Sequence, residues 1–209
     1  MLRRVLLTVL VGTLTAPLAA QSTSGWQVRV DQSRNASDPD NTPQLKFVPA
    51  GKGFHVTGGP AGTFWNPANT ASGAFTAKAS FTLVKPSNHT NYYGLVFGGS
   101  NLAAANQAYF YFVVAQDGTF LIRHRNGEQV TDVKDRVPHA SVRRPDSTGK
   151  SVNDLEVRVA ADTVSFLVNG ATVHSMPKSA LGATTDGIVG VRINHVLDVQ
   201  FEGLQIQRG

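Results

Sequence analysis

AYFYFVVAQDGTFLIRHRNGEQVTDV, Ala108 to Val133, decides how this chain is read. Apolar and polar residues alternate with a period of two, and Asp117-Gly118 and Asn126-Gly127 fall where tight turns between neighbouring strands belong. The spacing predicts a meander of three strands: Ala108 to Ala115, Thr119 to Arg125 and Gln129 to Val133. In the first of them Phe110, Phe112 and Val114 form the more apolar set and face a core. Tyr109 and Tyr111 then point the other way, with their hydroxyls free.

The same period runs outward in both directions. Phe75 to Val84 places Phe75, Ala77, Ala79, Phe81 and Leu83 on one face and Thr76, Lys78, Ser80 and Thr82 on the other. Asn153 to Val159, Thr163 to Val168 and Ala171 to Ser175 form a second meander, with Asn169-Gly170 as a strong hairpin signal. Further strands are predicted over Gln27 to Val30, Lys46 to Val48, Gly53 to Thr57, Tyr92 to Phe97, Gly187 to Ile193 and Val196 to Gln207. Pro138 to Lys150 and Gly98 to Gln107 read as loops, and Pro177 to Leu181 as one short helical turn. No run of about ten residues shows a helical apolar period, so the fold class is all-β: a two-sheet antiparallel β-sandwich.

The N-terminus has the three parts of a secretory signal peptide: Arg3 and Arg4, an apolar run from Val5 to Leu14, and Ala16-Pro17-Leu18-Ala19-Ala20 before Gln21. The run is too short to span a bilayer, which needs about 20 apolar residues. Residues 1–20 are expected to be removed, leaving 21–209 as a single domain that is secreted or periplasmic. The chain has no Cys, which closes off both disulfides and a lipoprotein cysteine. The formal net charge of +5 falls to +3 without Arg3 and Arg4. That is too mild, and its charges too scattered, for a nucleic-acid partner, and no membrane span is expected.

Tyr92-Tyr93-Gly94-Leu95-Val96-Phe97, the strand from Tyr109 to Val114, and Asp117 to Arg123 resemble the middle of concanavalin A-like or laminin-G-like jelly rolls. Asn153 to Val159, Val164 to Gly170 and Gly187 to Val191 are similar to the strands that follow in those domains. Exported bacterial domains grouped as 3-keto-disaccharide hydrolases share the pattern. The resemblance covers roughly Ser72 to the C-terminus and implies a jelly-roll sandwich. It brings no catalytic motif that can be placed on these residues.

The residues themselves offer few chemistries. Asp154 and Glu156 share a strand face two residues apart, as a glycosidase pair would, but Arg158 shares it too, and a solvated strand face explains all three. There is no Gly-x-Ser-x-Gly elbow and no His-x-His or His-Glu-x-x-His. His55, His89, His124 and His195 read as structural histidines. Asp38-Pro39-Asp40-Asn41 offers oxygens for calcium, although a polar turn uses the same residues. No other cofactor is expected.

Sugar binding asks for aromatic faces to stack on C–H groups and planar polar groups to bond hydroxyls. Tyr109 and Tyr111, Arg123 and Arg125 on the next strand, and Arg192 and Asn194 near the end would meet on one concave sheet if their strands are neighbours. The competing reading makes the tyrosines a packing ladder with the arginine stems. Trp65, in a Gly- and Pro-rich stretch, is expected to be an exposed stacking platform, and Trp26 a core anchor. The expected function is therefore binding of a carbohydrate or glycoconjugate, without catalysis. The alternatives are a glycoside-processing hydrolase of the 3-keto-disaccharide type and an envelope protein-interaction domain.

Overall fold

The computed structural model describes residues 23, 25–31 and 44–209. The expected signal peptide and the Asp38 to Asn41 segment lie outside these residues.

Among the described residues there are fourteen strands: β1 Gln27–Asp31, β2 Lys46–Ala50, β3 Gly53–Thr57, β4 Ala61–Ala71, β5 Phe75–Lys85, β6 Tyr92–Ser100, β7 Ala108–Ala115, β8 Thr119–Asn126, β9 Gln129–Pro138, β10 Ser151–Val159, β11 Thr163–Val168, β12 Ala171–Pro177, β13 Gly187–Ile193 and β14 Asp198–Arg208. A 3-10 turn, Lys178–Leu181, falls within the predicted helical stretch. The strands form two seven-stranded sheets. Sheet A runs β1-β4-β13-β6-β7-β8-β9 and sheet B runs β12-β11-β10-β5-β14-β3-β2. Every pairing is antiparallel.

Alternation builds the core between the sheets. From sheet A, Phe97, Phe110, Phe112 and Val114 point inward; from sheet B, Phe81, Leu155, Val157, Phe166 and Phe201 meet them. The Phe112 and Phe166 rings lie edge to face, with centroids 5.3 Å apart, a geometry that aligns ring edges with π faces. The buried Tyr93 hydroxyl accepts a 3.2 Å hydrogen bond from Asn153 Nδ2, which ties the sheets together through a satisfied polar pair. Trp26 packs on Phe54 and Phe201, at centroid distances of 4.9 Å and 5.6 Å, as a core anchor for the start of the domain.

Both predicted meanders form, and Asn169 and Gly170 adopt φ of 52° and 82°, the left-handed pair that a type I′ hairpin turn requires. The Pro138 to Lys150 stretch is pinned to the sandwich. Val142 is buried in the core, and Asn153 Oδ1 accepts the Arg143 N–H at 2.8 Å.

β4 departs from expectation, because the Gly- and Pro-rich stretch around Trp65 is an eleven-residue inner strand. Its proline is tolerated because β1 pairs only with Ala61 to Trp65, while the β13 register jumps from Trp65 to Thr70. Pro67 therefore sits where neither neighbour takes an N–H from it.

Candidate functional site

The candidate site lies on the outer face of sheet A. Alternation that sends Phe110, Phe112 and Val114 inward sends Tyr109, Tyr111 and Val113 outward, where they pack with Trp65, Val96, Leu102 and Leu121 as a second apolar cluster. Tyr111 lies opposite Arg123 on β8, and Tyr109 opposite Arg125. Arg192 arrives from β13, in register with Thr63 on β4. Of the residues expected to meet on one face with Asn194, Tyr109, Tyr111, Arg123, Arg125 and Arg192 lie on this one.

Their exposure is different from expectation. Trp65, Tyr109 and Tyr111 are 3%, 0% and 8% exposed, so none is an open stacking platform. Nor are the hydroxyls free: the Tyr109 oxygen accepts from Arg192 Nη1 at 3.0 Å and from Thr63 Oγ1 at 3.4 Å. The two tyrosine rings stand 5.7 Å apart, and the Arg192 guanidinium lies 5.5 Å from the Tyr111 centroid. The physical cause is the β6–β7 connection, which folds back over the sheet. Leu102 is buried on the tyrosines, and Arg29 Nη1 holds the carbonyls of Ala103 and Ala104 at 3.3 Å and 2.8 Å. Asn194 lies one residue beyond β13, where its N–H bonds the Tyr92 carbonyl at 2.9 Å.

Asp31 organises the polar part of the face. Its Oδ2 accepts from Arg192 Nη1 at 2.8 Å and from Arg125 Nη1 at 3.3 Å, and its Oδ1 from Arg29 Nε at 3.1 Å. Burial alone would raise the Asp31 carboxyl; the charge and hydrogen bond of Arg192, with Arg125 and Arg29, outweigh it and hold the group below the usual carboxylate range. Burial likewise works against the charge of Arg192, but Tyr109, Asp31 and Tyr111 more than offset it, so this guanidinium stays protonated. Burial raises Tyr111 above an ordinary phenol.

Beside this cluster, Arg29, Val30, Asp31, Ala105, Arg125, Gly127 and Glu128 line a hollow of about 360 Å³. Arg123, on the same face of β8, is paired with Asp132 on β9 at 2.5 Å. Sequence reading missed Asp31, Arg29, Thr63 and Glu128. Alternation along Gln27 to Val30 puts Arg29 on a definite face, but the identity of that face depends on β4, which does not read as a strand.

The remaining candidates separate from this face. Asp154 and Glu156 lie on the outer face of sheet B, where with Lys52, Lys78, Ser80 and Glu202 they line a cleft of about 510 Å³. Arg158 Nε donates to Glu156 Oε1 at 2.5 Å, the pairing that the shared strand face implies. His124 stacks on Phe110 with ring centroids 4.4 Å apart, His55 pairs with Asp198, and the Nε2 atoms of His89 and His195 lie 3.1 Å apart. Among the described residues, no three metal-ligating side chains converge, and no helix is long and apolar enough to cross a membrane.

No protein-family model matches the chain, and no curated protein matches it. Solved structures do. The carbohydrate-binding module CBM66 from Bacillus subtilis superposes with a TM-score of 0.62 at 12% identity, over 88% of this chain and 95% of that one. This protein has the concanavalin A-like jelly-roll fold. A Bacillus subtilis protein of unknown function with a galectin-like fold gives 0.61 at 10% identity, covering 87% and 88%. The endo-β-1,3-glucanase from Pyrococcus furiosus gives 0.58 at 10% identity, covering 89% of each chain. At such identities the likeness is one of fold.

Proposed function

We propose that the protein is an exported glycan-binding module whose carbohydrate or glycoconjugate ligand lies along the outer face of sheet A. The observation that carries this reading is the rim of that face. Arg29 and Arg125 present planar polar groups to a half-open hollow, with Arg123 on the same face of β8 and an aromatic cluster beneath. Guanidiniums in fixed positions suit hydroxyl and ring-oxygen acceptors. At about 360 Å³ the hollow is at the small end of ligand sites and has room for a single sugar ring. The carbohydrate-binding module among the structural neighbours supports the same reading, as does the signal-like N-terminus.

The test is retention and product release by the chain from Gln21 onward, against a panel of polysaccharides and disaccharides, with and without calcium. Retention without turnover is the expected result. Turnover would favour a second reading, a glycoside-processing hydrolase. That reading has its own observation, since Asp154, Glu156 and Glu202 share the cleft on sheet B. Against it, Arg158 already engages Glu156, and Lys78 sits directly across from it.

A further inference from the structure

We propose that the hollow between β1 and β8 receives the carboxylate of an acidic sugar, so that the protein selects uronate-bearing glycans over neutral ones. The proposal rests on the glycan-binding reading and specifies its ligand.

Charge balance is the first argument. Arg29, Arg125 and Arg192 surround the carboxylate of Asp31, and among the described residues, even with Glu128 at the rim counted, three guanidiniums face two carboxylates. One further anion neutralises the set. Side-chain exposures of 25%, 19% and 10% for Arg29, Arg125 and Arg192 place that excess charge in a partly desolvated setting, where it attracts an anion more strongly than a surface lysine would.

Geometry is the second argument. Arg125 spends Nε on the Gly127 carbonyl at 3.0 Å and Nη1 on Asp31, Arg29 spends Nε and Nη1 as described, and Arg192 uses Nη1 alone. Among the described residues, each guanidinium keeps Nη2 unengaged. Arg29 and Arg125 both line the hollow, already oriented by their other bonds, which lowers the entropy lost when a carboxylate is gripped.

A third observation is independent of charge. Gln107 is fully buried, and neither its Nε2 nor its Oε1 has a partner among the described residues. Its carbonyl accepts the N–H of Gly127, a residue of the hollow wall, at 2.7 Å, and it precedes β7 with the parity of Tyr109. A buried amide left unbonded behind the wall of a cationic hollow has a donor and an acceptor still to satisfy, which a water held between it and a ligand in the hollow would meet.

The experiment is calorimetric titration of the chain from Gln21 onward with oligomers of galacturonate, mannuronate and glucuronate, each against its own methyl ester. Esterification removes the charge and leaves the sugar intact. At least one acid should bind about tenfold or more tighter than its ester, a gap of about 1.4 kcal/mol. That preference should shrink with added salt and be lost in Arg125→Gln. Should Arg125→Gln fail to fold, Arg125→Lys, which keeps the charge without the fork, should reduce the preference several-fold. Equal binding of acid and ester, or a preference of unchanged size in a folded Arg125 variant, overturns the inference and leaves the glycan reading intact. Binding of no uronate, ester or neutral glycan overturns both.

Discussion

Asp31 and Arg125 belong to strands five positions apart in one sheet, yet their side chains meet at 3.3 Å. In a flat sheet, five spacings of about 4.8 Å would separate those strands by about 24 Å. Two side chains of ordinary reach cannot close that distance, so sheet A curls into a trough. Arg192 and Tyr109 meet beneath the same bridge. The trough is therefore walled by two opposite strands, floored by tyrosine and tryptophan, and cross-braced by one carboxylate.

Replacing Asp31 by Asn should show that brace in the pH dependence of stability. The folded-state carboxyl is depressed, so its contribution is fully present above the unfolded value near 4 and is lost as pH falls through the folded value. Asp31→Asn should cost about 3 kcal/mol at neutral pH, because it leaves the buried Arg192 without its counter-charge. The difference from the unmodified protein should narrow below about pH 4. Thermal melts from pH 7 to pH 2 read both effects.

Tyr109→Phe separates a structural hydroxyl from a ligand-binding one. Loss of the acceptor for Arg192 and Thr63 should cost about 2 kcal/mol in urea unfolding. An unchanged midpoint would mean that the buried network contributes nothing.

Arg123→Ala should behave in the opposite way. Its pair with Asp132 is half exposed and worth about 1 kcal/mol or less, so the melting temperature should hardly move while glycan retention falls.

The Asn169 turn tests the sheet that faces away from the site. Asn169 Nδ2 donates to the Ser141 carbonyl at 2.7 Å and to Asn153 Oδ1 at 2.9 Å, and its Oδ1 accepts the Asp154 N–H at 2.9 Å. Asn169→Ala should cost about 2 to 3 kcal/mol, since several buried or half-buried groups lose partners at once. Gly170→Ala should cost about 1 kcal/mol through its left-handed backbone alone.

Strands such as β5, β7 and β11 are legible because their alternation and turn residues are local properties of the chain. Thus Phe110 and Phe112 inward, with Tyr109 and Tyr111 outward, follows from period two. What period two cannot reveal is what lies over an outward face. Tyr109, Tyr111 and Trp65 are buried by a connection whose Leu102 folds back onto them, a tertiary contact with no local signal. β4 escapes for a related reason: Pro67 reads as a strand breaker until the register jump in β13 shows that no ladder bond is lost. Asp31 lies one residue past the predicted first strand, and its role emerges only when the curl of the sheet brings Arg125 to it.

The most direct test of the account is a backbone amide NMR titration of the chain from Gln21 onward with a glycan that the panel retains. Shifts should cluster at Arg29, Ala105, Arg123, Arg125, Gly127 and Glu128, along the trough of sheet A. Shifts confined to Lys78, Asp154, Glu156 and Glu202 on sheet B would contradict it.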